Sequence, residues 1–126
     1  MMQPTTRKRV LIADDEPELR ALLRDTIEDR YDVFEAADGK QAIDLAERTR
    51  PDAVLLDIRM PGTDGLAVCR WLKSSPPLAA ARVIITSGMD GRGRHQPGLD
   101  LGADYYLPKP FTPEALRRLL QIACSL

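Results

Sequence analysis

Three runs along the chain are apolar at every position: Val10-Leu11-Ile12-Ala13, Val54-Leu55-Leu56 and Val83-Ile84-Ile85. Short, aliphatic and partly β-branched, they predict strands buried on both faces. Two more runs mix polar with apolar positions. Residues 32–36 carry Val33 and Phe34 between acids, and residues 105–107 read Tyr-Tyr-Leu. Mixed polarity of this kind predicts edge strands, where one side is less covered.

Between the runs the apolar period lengthens to that of a helix. Pro17 opens the first, a position where its missing N–H costs nothing, and Leu19, Leu22, Leu23 and Ile27 follow at helical spacing. Asp38 is placed to cap the second, with Gln41 three residues on in capping-box position. Its apolar positions are Ala42, Ile43, Leu45 and Ala46, and Arg50-Pro51 ends it. Residues 66–73 predict a third helix after the Pro61-Gly62 turn. Thr112 and Pro113 start a well-marked last helix with Leu116, Leu119, Leu120 and Ala123.

The weak stretch is 88–98, where Gly88, Gly91, Gly93, Pro97 and Gly98 crowd eleven residues. Inside a helix each Gly costs about 1 kcal/mol and Pro about 3. The fourth helix is expected to be short, over 96–101, or mobile. Residues 1–8 predict a frayed terminus and 9–126 a single domain. Five strand–helix alternations imply a parallel sheet with helices on both faces. With apolar strands central and mixed strands outside, the order is 2-1-3-4-5, and the topological switch point lies between strands one and three.

Strand ends converge in such a fold, so the residues there share one site. Strand one delivers Asp14 and Asp15, strand three Asp57, strand four Thr86, and strand five Lys109. Two carboxylates about 5 Å apart repel by about 3 kcal/mol at an effective dielectric near 20. One lysine does not neutralise three acids. Either one acid is protonated or a divalent cation binds, and an all-oxygen donor set suits Mg2+. Such a cation would tolerate a phosphoryl group arriving on Asp57, with Thr86 donating to one phosphoryl oxygen and Lys109 pairing with another.

Composition narrows the partners. A chain of 126 residues is one domain by length, and its 29% charged content is ordinary for a globular protein. A net charge of −1, with cations and acids interspersed, disfavours nucleic-acid binding by this segment. Its apolar runs fall well short of the ~20 residues that span a bilayer, and no export signal is evident near the start. Cys69 and Cys124 lack metal-ligand spacing and read as small apolar side chains on helix faces. A cytoplasmic location is expected.

Asp14-Asp15, Asp57 within Leu-Leu-Asp-Ile-Arg-Met-Pro-Gly-Thr-Asp-Gly, Thr86, and Gly102 to Phe111 (Gly-Ala-Asp-Tyr-Tyr-Leu-Pro-Lys-Pro-Phe) together resemble the receiver domain of two-component response regulators. The likeness runs from about Arg9 to the last helix, with five motifs in register, and is similar to the single-domain chemotaxis-type regulators. It implies a flavodoxin-like (βα)5 fold. It also implies that Asp57 accepts a phosphoryl group from a sensor histidine kinase or a phosphotransfer protein. Mg2+ would be bound by the side chains of Asp15 and Asp57 and the Arg59 backbone carbonyl, with Asp14 helping through water. Thr86 and Tyr106 resemble the switch pair that remodels the face formed by the fourth helix, fifth strand and last helix. The Lys109–Pro110 bond would be cis. Beyond slow self-phosphorylation and self-dephosphorylation no enzymatic turnover is implied. The outputs implied are a partner protein, a linked effector domain or a phosphorylation-dependent homodimer. Arg59, Ser87 and Gly88 border the path of attacking water and would tune phosphoryl lifetime.

Taken singly, an Asp after a strand is a cap or turn residue, and Asp64-Gly65 keeps that reading. Tyr105 reads as packing, Trp71 as packing or partly exposed, and Arg92, Arg94 and His95 as solvated surface. Two other functions compete. A pseudo-receiver would exchange partners without phosphate. An aspartyl phosphohydrolase would use the same nucleophile, but its chemistry wants an acid two residues later, where this chain has Arg59. No glycine-rich dinucleotide fingerprint follows strand one.

Overall fold

The computed structural model describes residues 7–60, 63–88 and 102–125. In chain order the elements are β1 (Arg9–Ala13), α1 (Pro17–Ile27), β2 (Asp32–Ala36), α2 (Gly39–Thr49), β3 (Ala53–Asp57), β4 (Arg59–Met60), β5 (Thr63–Asp64), α3 (Gly65–Ser74), β6 (Arg82–Gly88), β7 (Tyr105–Lys109) and α4 (Pro113–Cys124). The main sheet runs β2-β1-β3-β6-β7 with every pair parallel. Counting its five strands alone, that is the expected 2-1-3-4-5. Central β1 and β3 and the core of β6 are buried, while β2 and β7 are the half-covered edges.

Alternation along each strand feeds two separate cores. Leu11, Val54, Leu56, Val83 and Ile85 face α2 and α3 in one. Val10, Ile12, Leu55 and Ile84 face α1 and α4 in the other. Both cysteines are free and buried, one in each core, which matches the apolar reading. Trp71 packs half-buried on the first. Leu22 departs from expectation. The buried stripe of α1 runs through Leu23 and Ile27, and Leu22, one step around the helix, is 59% exposed.

The caps form as read. Asp38 accepts from the Gln41 N–H at 2.8 Å, and the Gln41 side chain accepts in return from Ala37 N–H, one residue before the cap. Thr112 accepts from the Ala115 N–H. Arg50 ends α2 in the left-handed region, at φ 49°.

Three local features differ from expectation. β4 and β5 pair antiparallel, with Arg59 opposite Asp64, in a ladder too short to leave an alternation in the sequence. β7 continues through Pro108 to Lys109, which an edge strand permits because one row of its backbone groups needs no partner. The terminus expected to fray through Lys8 is held at its last two residues. Arg7 donates to the carbonyls of Glu28 and Tyr31, and Lys8 O accepts from Asp32 N. The expected Pro61-Gly62 turn, the short fourth helix, and Arg92, Arg94 and His95 lie outside the described residues. Among the described residues, no helix is long and apolar enough to cross a membrane.

Candidate functional site

The C-terminal ends of β1, β3 and β7 bring together what the sequence left tens of residues apart. Asp14, Asp15 and Asp57 each offer a carboxylate oxygen within 4.8 Å of the others. Asp14 and Asp57 are 1% and 4% exposed, while Asp15 is half-buried. The Lys109 ammonium donates to Asp14 Oδ2 at 3.1 Å and to Asp57 Oδ2 at 3.2 Å. The Lys109–Pro110 peptide is cis.

The remaining carboxylate oxygens are also held. Asp57 Oδ1 accepts from the Arg59 N–H at 2.9 Å, and Asp14 Oδ1 accepts from the Glu16 N–H at 2.9 Å. Burial pushes the Asp57 carboxyl above the ordinary carboxylate range, although the Arg59 N–H and Lys109 pull it down. For Lys109 the balance is reversed. Burial would lower its pKa, but the carboxylates of Asp57 and Asp14 outweigh that and hold the ammonium charged.

Two contacts fix the backbone of Asp57. In the β3–β6 register it lies beside Thr86, which is 3% exposed, and the Thr86 carbonyl accepts from Ile58 N–H. From the other side α3 begins hard against it. A Cβ on Gly65 would stand 2.8 Å from the Asp57 carbonyl oxygen and 2.4 Å from Ile58 Cα, so only glycine fits. Asp64 caps α3 by accepting from Leu66 N–H, the structural role read for the Asp-Gly pair.

Of the residues singled out from sequence, Asp14, Asp15, Asp57 and Lys109 meet, Thr86 flanks them, and Arg59 touches Asp57 through its N–H. Tyr106 does not join them. It lies on β7 opposite Ile85 and packs half-buried on the core that faces α2 and α3, while Tyr105 packs on the other core. Two neighbours escaped the sequence reading. Glu16 brings a carboxylate 3.9 Å from Lys109 but is largely exposed, and so contributes little. Arg20 donates to the Asp14 carbonyl at 2.8 Å. A cation this near the start of a helix runs against the macrodipole preference, and that is the signal that could have marked it.

A buried acid next to a lysine, ringed by hard oxygen donors, can act as a nucleophile toward an electrophile that carries negative charge. Residues 10–121 match the family model of the response regulator receiver domain. Response regulator MprA of Mycolicibacterium vanbaalenii is 43% identical over 109 residues, covering 86% of this chain and 46% of that protein. Response regulator PleD of Caulobacter vibrioides is 42% identical over 103 residues, covering 81% of this chain and 23% of that protein. The chain thus spans under half the length of these curated relatives. Among solved structures, chemotaxis response regulator CheY4 of Vibrio cholerae superposes with TM-score 0.86 at 29% identity, covering 94% of this chain and 99% of that one. The REC domain of AraT, from Geobacillus stearothermophilus, does so with TM-score 0.83 at 34% identity, covering 94% of each chain.

Proposed function

Because the chain belongs to the response regulator receiver domain family, we propose that Asp57 is its phosphoryl acceptor and that the domain is a switch rather than a turnover enzyme. The observation that carries this reading is the single ammonium of Lys109 bridging Asp14 and Asp57 inside a cluster of three carboxylates.

An Asp57 carboxylate oxygen attacks phosphorus of a phosphohistidine on a sensor kinase or phosphotransfer protein. The new O–P bond forms as the P–N bond breaks, and the electron pair leaves with the imidazole nitrogen, which takes a proton from solvent. Lys109 pairs with one oxygen of the arriving group and the Thr86 hydroxyl donates to another.

The donor set fits Mg2+, since three carboxylate oxygens close together supply the hard ligands that ion takes. Asp15, Asp57 and the Arg59 carbonyl would hold it, with Asp14 acting through water. When bound, it offsets the charge of the acids and of the transferred phosphoryl oxygens. Thr86 then moves toward the new charge and Tyr106 follows, which alters the surface around β7 and α4 for an output partner, a linked effector domain or a second copy.

The test is intact mass after incubation with acetyl phosphate and Mg2+. Wild type gains one phosphoryl mass and Asp57→Asn gains none. An unmodified wild type would favour a pseudo-receiver, and steady release of phosphate from phosphomonoesters would favour a phosphohydrolase.

A further inference from the structure

We infer that Arg20 is a positioning residue for the acidic site and that Glu35 holds it in that role. The inference rests on the phosphoacceptor reading above. Arg20 lies near the N-terminus of α1, where the helix field favours acids over cations. Its guanidinium turns back over the start of the helix. Nη1 donates to the Asp14 carbonyl at 2.8 Å, and Nε donates to Glu35 Oε1 at 3.4 Å. Arg24, one turn on, donates to the other oxygen of Glu35 at 2.8 Å. The Glu35 carboxylate, supplied by the neighbouring edge strand β2, is therefore gripped on both oxygens.

From the other side the Asp14 N–H donates to the Ala36 carbonyl at 3.0 Å. The Asp14 backbone is clamped at both ends, its N–H by β2 and its carbonyl by α1. That carbonyl belongs to the peptide joining Asp14 to Asp15. The peptide is planar, so holding its oxygen holds its nitrogen and the direction in which Asp15 leaves the chain.

Asp15 depends on this more than its neighbours do. The carboxylates of Asp14 and Asp57 are each held by Lys109 and a backbone N–H. Among the described residues no hydrogen bond or ion pair holds that of Asp15. Its aim comes from its backbone, and Arg20 sets the backbone.

The opposite expectation is purely electrostatic. A cation close to the cluster repels a divalent ion, so deleting its charge would tighten metal binding. The two accounts differ in sign.

The experiment is calorimetric titration of the whole chain with Mg2+, with thermal midpoints measured in parallel. Arg20→Met keeps the aliphatic stem and removes the donors, and is expected to weaken Mg2+ binding about 10-fold, as loss of a group that orients a metal ligand does. Arg20→Lys keeps one donor for the carbonyl and recovers part of that affinity. Glu35→Gln, a near-isosteric change, weakens binding at least threefold. Affinity in Arg20→Met equal to or tighter than wild type overturns the inference, even if its midpoint falls, because a merely structural arginine would move only the midpoint. Should Arg20→Met not fold, unchanged affinity in Glu35→Gln overturns it instead, as would a wild type that takes up no Mg2+. Failure of wild type to gain phosphoryl mass while these affinities differ as stated would count against the phosphoacceptor reading alone.

Discussion

The ammonium of Lys109 stands 3.2 Å from Oδ2 of Asp57 although their strands, β7 and β3, are not neighbours; β6 lies between them. The lysine reaches over a whole strand, and beyond Asp57 it also meets Asp14 at the end of β1. One side chain thus ties three of the five strands at the end where the acids collect.

Removing that tie should be costly. Lys109→Met leaves two buried carboxylates facing each other without their cation, and a stability loss of about 3 kcal/mol at pH 7 is expected from breaking a buried pair. Its neighbours raise the Lys109 pKa above 10.5. The stabilisation is therefore full below 10.5 and is lost as pH rises through the folded-state value. Urea unfolding from pH 7 upward should show variant and wild type converging at the alkaline end.

Asp57→Asn should act in the opposite sense. Burial raises the Asp57 pKa above 3.8, so the ionised form costs the folded state stability. Below 3.8 the wild-type side chain is neutral in both states and the amide gains nothing. The advantage opens above 3.8, where the side chain of the unfolded protein ionises first, and grows until pH has passed the raised folded-state value. In metal-free buffer at pH 7 the variant should therefore melt higher than wild type, with the gap closing toward acid. A lower midpoint at pH 7 would contradict this account.

Gly65→Ala tests the close approach of α3 to the acceptor. The new methyl would meet backbone atoms of Ile58 and Asp57 at 2.4 and 2.8 Å, and neither can swing aside as a side chain could. A loss of about 2 kcal/mol or more is expected from such overpacking, together with slower phosphoryl uptake as Asp57 is displaced. Ala67→Ser, on the exposed side of the same helix, should leave both unchanged. Unfolding curves and the rate of mass gain read the two effects separately.

At the opposite end of the sheet, Asp104 gathers Lys73 at 2.9 Å, the Val83 N–H at 2.9 Å and Arg82 at 3.5 Å. Asp104→Ala strands a backbone donor and removes the carboxylate partner of two cations, of which Lys73 keeps its bond to the Ala81 carbonyl, for an expected loss of about 2 kcal/mol. Because this network stands away from the acidic cluster, Mg2+ affinity should not move with it. A urea series and a metal titration on the same variant check both halves.

What could be read from the sequence follows from range. The buried strands announce themselves as unbroken aliphatic runs, and the caps Asp38 and Thr112 lie within three residues of the groups they bond, so both are local signals. The acidic site is long-range, yet it was legible because parallel strands all end on one side and Asp14, Asp15, Asp57 and Lys109 each sit at such an end. The clamp on Asp14 was not legible. Arg20 and Glu35 stand fifteen residues apart on a helix and a strand, and an ion pair between different elements leaves no periodic trace. The β4–β5 ladder was hidden for a plainer reason: two residues per strand are too few to alternate. Leu22 was misplaced because spacing alone does not say where a buried stripe ends.

The sheet divides the interior into two packings that share strands but not side chains. Mutational energies should therefore sum across the sheet and fail to sum within one side of it, since residues in contact couple and distant ones do not. Leu56 on β3 with Val68 on α3 would form an interacting pair, whereas Leu56 with Leu120 on α4 would behave as two independent losses. Drift in sequence on one side could then proceed without repair on the other. Asp57, at the end of the strand that serves both sides, is where those separate histories have to agree.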